Sequence, residues 1–239
     1  MAGRVITSRD NEKLKLVRKL HDRRWRDKLG LFVAEGEDLA GAARAAGVEP
    51  VELLVAGDDV EPTLLAEVSA LAHPPRVIGV YRRDDLPRGV RDVGLALWHV
   101  ADPGNVGTLL RSADAFGASV SLSPGCADPT GPKALRASMG AVFSVPTCAF
   151  DDAPRPWVAL VAHGGGPLHA LDRDGPTTFV LGAEREGLPD DVLARCDVHA
   201  TIRLAGGAES LNVAMAGTIA LYERTRLLET RPGSDPGRG

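Results

Sequence analysis

The chain has 239 residues, 44% of them hydrophobic and 25% charged, and a formal net charge of −4. This is the composition of a globular protein of one large or two compact domains, and it excludes a disordered, collagen-like or disulfide-scaffold chain. No run approaches about 18 uncharged apolar residues, and the charged N-terminus MAGRVITSRDNEKLKLVRKL lacks the apolar segment of a signal peptide, so no membrane span is expected and the expected address is the cytoplasm.

The first thirty residues carry a charge of their own. Between Arg4 and Lys28, ten basic residues outnumber four acidic ones, a local charge of +6 that leaves −10 for the remainder. Such a stretch on an acidic protein is the footprint of a phosphate-backbone contact, and equally of a solvated amphipathic helix, because Leu14, Val17 and Leu20 recur at helical spacing. The periodicity predicts a helix over 9–26, a strand around Phe32 to Ala34, a helix from Glu37 to Ala46 stopped by Gly47, strands at Val51 to Ala56 and Val77 to Tyr81, and a helix between them from Pro62 to Leu71. The charged stretch from Tyr81 to Asp92, with its proline and glycine, reads as a linker or exposed edge, so residues 1–92 form a smaller α/β domain. After it come a strand Val93 to Val100, a helix Val106 to Phe116, strands at Ala118 to Ser123, Trp157 to Ala162, Thr177 to Gly182 and Val198 to Leu204, and a helix from Leu211 to Leu228. This alternation predicts a mostly parallel sheet covered by helices over 93–229, followed by a disordered tail, 230–239.

Ligands of an open parallel sheet bind beyond the C-terminal ends of its strands. Three polar segments follow strands here: Asp102 to Gly107 leading to Arg111, Gly182 to Leu188, and Gly206 to Asn212. Asn105 and Ser210 could be plain helix N-caps, and Arg111 points either to solvent or into the cleft. The glycine spacings match neither a Walker loop nor a dinucleotide fingerprint, which disfavours a phosphate-loop enzyme and a nicotinamide oxidoreductase. Cys126, Cys148 and Cys196 lack CxxC spacing and the six histidines lack HxxxH spacing, so reduced thiols and no metal site are expected.

Taken together and in order, Asp102 to Gly117, Val180 to Leu188 and Ile202 to Val213 resemble the three motifs of the SpoU/TrmH family of RNA ribose 2'-O-methyltransferases, within the SPOUT superfamily. Lys133 to Gly140 and Phe143 to Pro146 also resemble it, and Ile6, Asn11, Lys15 and Phe32 to Gly36 are similar to the family's accessory substrate-binding domain. The departure is Ala183, where the family commonly has asparagine before the motif glutamate.

The resemblance implies a deep trefoil knot in the C-terminal domain and S-adenosylmethionine held in the knot loops by Gly182, Gly187, Leu188, Ile202, Leu204 and Leu211, with Ala162 nearby. It implies a homodimer whose active site combines Arg111 of one subunit with the cofactor loops of the other, an interface that Leu211, Ala214, Met215, Ile219 and Tyr222 of the last helix would suit, as they would equally suit an internal core. Asn105, Arg111, Glu184, Ser210 and Asn212 are the implied catalytic residues, with Asn105 orienting the ribose and Glu184 positioning the arginine. Arg9, Lys15, Arg24 and Arg26 are the candidates for gripping RNA, ribosomal in preference to transfer RNA. A non-catalytic RNA-binding relative is the rival that those catalytic residues argue against.

Overall fold

The computed structural model describes residues 5–171, 175–206 and 209–229. Arg4, the expected tail and residues 207–208 of the third motif lie outside the described residues.

The first unit comprises α1 (Glu12–Leu20), α2 (Arg23–Leu29), β1 (Leu31–Glu35), α3 (Glu37–Ala45), β2 (Glu52–Val55), α4 (Pro62–Val68) and β3 (Val77–Arg82). Its three strands form an antiparallel sheet in the order β1-β3-β2. The single helix expected over 9–26 is two. Asn11 caps α1 by accepting from the Lys13 amide at 2.9 Å, and Asp22 caps α2 by accepting from Arg24 at 2.8 Å, so the chain breaks at His21 and Asp22. Leu14, Val17 and Leu20 face inward from α1 onto Val33, Leu54, Ile78 and Val80.

The second unit comprises β4 (Val93–Leu97), α5 (Pro103–Ala115), β5 (Ser119–Leu122), α6 (Pro132–Ser138), β6 (Thr147–Ala149), β7 (Trp157–Leu160), β8 (Gly166–Pro167), β9 (Thr177–Leu181), α7 (Asp190–Leu193), β10 (Val198–Thr201) and α8 (Val213–Glu229). Seven strands form one sheet in the order β6-β5-β4-β9-β7-β10-β8, and every pairing is parallel. β9 is buried at all five positions, as a parallel strand covered on both faces must be. No helix among the described residues is long and apolar enough to cross a membrane.

The two units share a core. Phe32 and Tyr81 from the first meet Phe143 from the second at ring-centroid distances of 5.9 and 5.2 Å, and the methyl of Ala42 occupies the place where a β-carbon on Gly140 would stand. Asp128 clamps the joint, accepting from Arg26 Nε at 2.8 Å and from Arg83 Nη2 at 2.7 Å. Burial alone would push the Asp128 carboxyl up, but hydrogen bonds from Thr130 and the Arg83 and Arg26 guanidiniums together hold it below the usual carboxylate range. The stretch expected to be a linker therefore begins as structure: Tyr81 is buried, and Arg83 binds both Asp27 and Asp128.

Candidate active site

The loops that leave β4, β9 and β10 collect beyond the C-terminal edge of the sheet. On the first, Asp102 is the N-cap of α5, with Pro103 preset for the first turn, and it accepts from the Asn105 amide at 3.0 Å. Asn105 is thus one turn inside the helix, and its side-chain amide is left free to reach outward. The second Asp102 oxygen accepts from Lys133 Nζ at 2.8 Å, and that hydrogen bond is the main reason its carboxyl lies below the usual range. Gly107 lets the ion pair form, because α6 passes so close to α5 that a β-carbon there would strike the Ala134 carbonyl.

The loop after β9 folds back on itself. Ala183 and Gly187 exchange amide hydrogen bonds of 3.1 and 2.9 Å, and Gly187 takes φ 69, where glycine is the residue of choice. The returning strand crosses Gly182 so tightly that a β-carbon there would lie 2.5 Å from the Leu188 nitrogen and closer still to the Gly187 carbonyl. This fold presents Glu184, whose Oε1 accepts from Asn105 Nδ2 at 3.0 Å and from the Asp102 amide at 3.4 Å. From the third loop, Asn212 takes the capping role over α8 that Ser210 was a candidate for, accepting from Ala214 at 2.9 Å and Met215 at 3.3 Å. Its Nδ2 donates to Asn105 Oδ1 at 3.1 Å. A single hydrogen-bond chain, Asn212 to Asn105 to Glu184, therefore ties the three loops together.

Two adjoining cavities flank that chain. One, of about 310 Å³, is lined by the strand-end segment Leu160 to Ala162 and by Gly182, Gly187, Ile202, Leu204, Ser210 and Leu211. The other, of about 770 Å³, is lined by His99, Asp102, Asn105, Gly125 and Glu186. Ala183, Glu184, Arg185 and Asn212 line both. Six of the seven residues expected to hold the cofactor thus line one slot, where apolar side chains alternate with the polar Glu184, Arg185, Glu209, Ser210 and Asn212 and Gly182 contributes bare backbone. Such a slot fits a flat adenosyl group. Leu188 is the exception: its side chain packs on the buried cluster of Phe150, Trp157 and Val180, and its nitrogen is what passes Gly182.

Arg111 is exposed on α5, lines neither cavity and makes no hydrogen bond or ion pair among the described residues. Glu184, expected to pair with or position an arginine, accepts from Asn105 within this chain. Of the four basic residues expected on RNA, Arg26 is a correction: it is 4% exposed, and its guanidinium is consumed by Asp128 and by the Leu20 and His21 carbonyls. Arg9 pairs with Glu67 and Lys15 with Glu12 at the surface, and Arg24 is exposed. Sequence reasoning passed over Trp25, whose ring has the ammonium groups of Lys19 and Lys28 5.4 and 5.1 Å from its centroid.

Comparison with known proteins agrees with this geometry. Residues 92–222 match the model of the SpoU rRNA Methylase family, and residues 11–83 match the MRM3-like substrate binding domain. The chain is 30% identical to the 23S rRNA (guanosine(2553)-2'-O)-methyltransferase RlmP of Bacillus subtilis, over 91% of this chain and 97% of that one. Among solved structures, an AdoMet-bound rRNA methyltransferase from Sinorhizobium meliloti superposes with a TM-score of 0.83 at 28% identity, covering 94% of this chain and 98% of that one. The SpoU methyltransferase AviRb from Streptomyces viridochromogenes, in complex with AdoMet, gives 0.80 at 27% identity over 93% and 100%. The chain carries an N-terminal substrate-binding domain and belongs to the SpoU rRNA methylase family.

Proposed function

We propose that this protein transfers a methyl group from S-adenosylmethionine to a ribose 2'-hydroxyl of ribosomal RNA, with 23S rRNA, the substrate in the name of the Bacillus relative, as its first candidate. The observation that carries the proposal is the chain Asn212–Asn105–Glu184, whose two ends line both cavities while Asn105 between them lines the larger one. It divides a slot suited to an adenosyl group from a space large enough for a nucleotide.

When bound, S-adenosylmethionine supplies an electrophilic methyl group, so the chain's own contribution is alignment and electrostatics. Asn105, fixed from both sides, orients the ribose, and Ser210 and Asn212 shape its pocket. Arg111 keeps its charge, since a guanidinium is a poor proton acceptor, and it grips the neighbouring phosphate and stabilises the developing alkoxide. It does so across a homodimer. Met215, Ile219 and Tyr222 form an exposed apolar stripe at 61%, 38% and 56% exposure on α8, and Ser112, next to Arg111, bonds Thr218 of that helix at 2.6 Å. A second subunit that covers this stripe brings Arg111 to its partner's slot.

Residues 1–92 act as the RNA-gripping domain through Arg9, Lys15 and Arg24, with Trp25 added and Arg26 removed from that surface, and residues 93–229 form the methyltransferase domain. The likeness to solved SpoU methyltransferases supports the trefoil knot, and a ribosomal substrate supports a cytoplasmic location. The test is transfer of labelled methyl to unmodified 23S rRNA transcribed in vitro, with 16S rRNA and bulk transfer RNA as comparisons. Label confined to 23S rRNA is the expected result, and label confined to transfer RNA refutes the substrate.

A further inference from the structure

Both ligands of the proposed reaction carry oxyanions, and the site that receives them is acidic. Asp102, Glu184 and Glu186 line the larger cavity, and Glu184 and Glu209 line the smaller. Of these carboxylates only Asp102 has an ion-pair partner among the described residues, Lys133 Nζ at 2.8 Å. Against them stands one guanidinium. Arg185 is the only lysine or arginine among the described residues that lines either cavity, and it lines both. It is exposed and makes no hydrogen bond or ion pair among the described residues. Its root is nevertheless fixed. Arg185 is the middle residue of the turn that Ala183 and Gly187 close with amide hydrogen bonds of 3.1 and 2.9 Å, and Glu184 beside it ties that turn to Asn105 at 3.0 Å.

A guanidinium rooted in a closed turn, with its donors unused, at the seam of the two cavities takes an oxyanion. Two oxyanions reach this seam, the carboxylate of the cofactor and the phosphates of the RNA. The carboxylate travels with the cofactor's own ammonium and sulfonium groups, so the cofactor as a whole is a cation and enters an acidic site unaided. A phosphate has no such companion, and Glu184 and Glu186 repel it. If the site is the ribose methyltransferase centre proposed above, a nucleotide in the larger cavity brings a phosphate on each side of its ribose. We propose that Arg185 clamps one of these phosphates from the subunit that holds the cofactor, while Arg111 of the other subunit takes the second. The two arginines differ in effect. Arg111 acts on the alkoxide as it develops, whereas Arg185 holds the RNA equally before and during transfer, so its loss appears in KM.

The full-length protein is titrated with transcribed 23S rRNA over a series of KCl concentrations, and methyl transfer is measured with the cofactor saturating. Arg185→Met weakens RNA binding about tenfold and raises KM for RNA by a similar factor, with kcat little changed. The plot of log affinity against log salt becomes shallower by about 0.7, the share of one lost phosphate contact. Calorimetric affinity for S-adenosylmethionine stays at the wild-type value, which also shows that the loop is intact. Arg185→Lys keeps the wild-type salt slope, because the charge is kept, and regains part of the affinity. A wild-type slope and KM in Arg185→Met overturn the clamp, as does an Arg185→Lys variant with the slope of Arg185→Met. A fall in cofactor affinity with RNA affinity unchanged also overturns it, because the guanidinium then serves the cofactor's carboxylate. A wild-type protein that binds the RNA with an Arg185-dependent slope yet methylates none of it overturns the function and leaves the clamp standing.

Discussion

Replacing Asn105 by aspartate is isosteric and isolates one link of the site. The side-chain oxygen that accepts from Asn212 at 3.1 Å is kept, while the nitrogen that donates to Glu184 at 3.0 Å becomes a second carboxylate oxygen. Two unit charges about 3 Å apart repel by roughly 1.4 kcal/mol at the dielectric of water, the appropriate limit for an exposed pair. The lost hydrogen bond adds about 1 kcal/mol. Glu184 escapes part of this by swinging into solvent, which releases the β9 loop from α5, so about 2 kcal/mol, or roughly thirtyfold in kcat/KM, is the expected loss. The assay is steady-state methyl transfer alongside thermal melting. Paired carboxylates raise one another's pKa, so the variant's deficit in stability is full above the raised pKa and shrinks as the pH falls through it and the two oxygens share a proton. Adding Glu184→Gln, whose amide can donate to the new aspartate, restores most of the loss. An Asn105→Asp variant with wild-type kcat/KM, or a double variant worse than the single one, refutes the reasoning.

Gly182→Ala drives a methyl group into the backbone at Gly187 and Leu188, and overpacking of about 1–3 kcal/mol lowers S-adenosylmethionine affinity at least about tenfold by calorimetry. Gly41→Ala on α3, where the added carbon meets nothing within 4 Å, leaves that affinity unchanged. Asp128→Asn strands the buried Arg26 beside Arg83 and costs about 3–5 kcal/mol, a fall of roughly 10 °C in Tm for a chain this size. Because the Asp128 carboxyl is depressed in the fold, its stabilisation is present above the ordinary aspartate pKa and disappears as the pH falls below it, so the variant also shows a flatter stability profile on the acid side. Arg111→Ala keeps cofactor affinity and loses methyl transfer. Refolding it together with Gly182→Ala returns about a quarter of wild-type activity if the site is shared across a dimer, and none if Arg111 acts within its own subunit.

The three loops were legible because each is written in local chemistry: Asp-Pro at a helix start, glycines where backbones cross, polar residues directly after apolar strand runs. What escaped the sequence depends on distant partners. Nothing near Arg26 distinguishes it from Arg24, because the carboxylate that buries it is 102 residues away. Asn105 looked like a cap until Asp102 took that role and freed its amide. The break at Asp22 is hidden by helix-forming, charged residues on both sides of it. Leu188 has the right place in the motif, yet its side chain turns to the core and only its backbone meets the slot. His99 and Trp98 carry no motif, and the stacking of the His99 imidazole on the Trp98 indole follows from a left-handed turn that no periodicity encodes.

The chemical fate of the transferred methyl tests the account most directly. After reaction with tritium-labelled cofactor, the transcribed RNA is hydrolysed in alkali, which cleaves next to every free 2'-hydroxyl and spares a 2'-O-methylated linkage. The convergence of Asn105, Glu184 and Asn212 beside the adenosyl slot predicts label in alkali-stable dinucleotides, while label in mononucleotides, the mark of a methylated base, would contradict it.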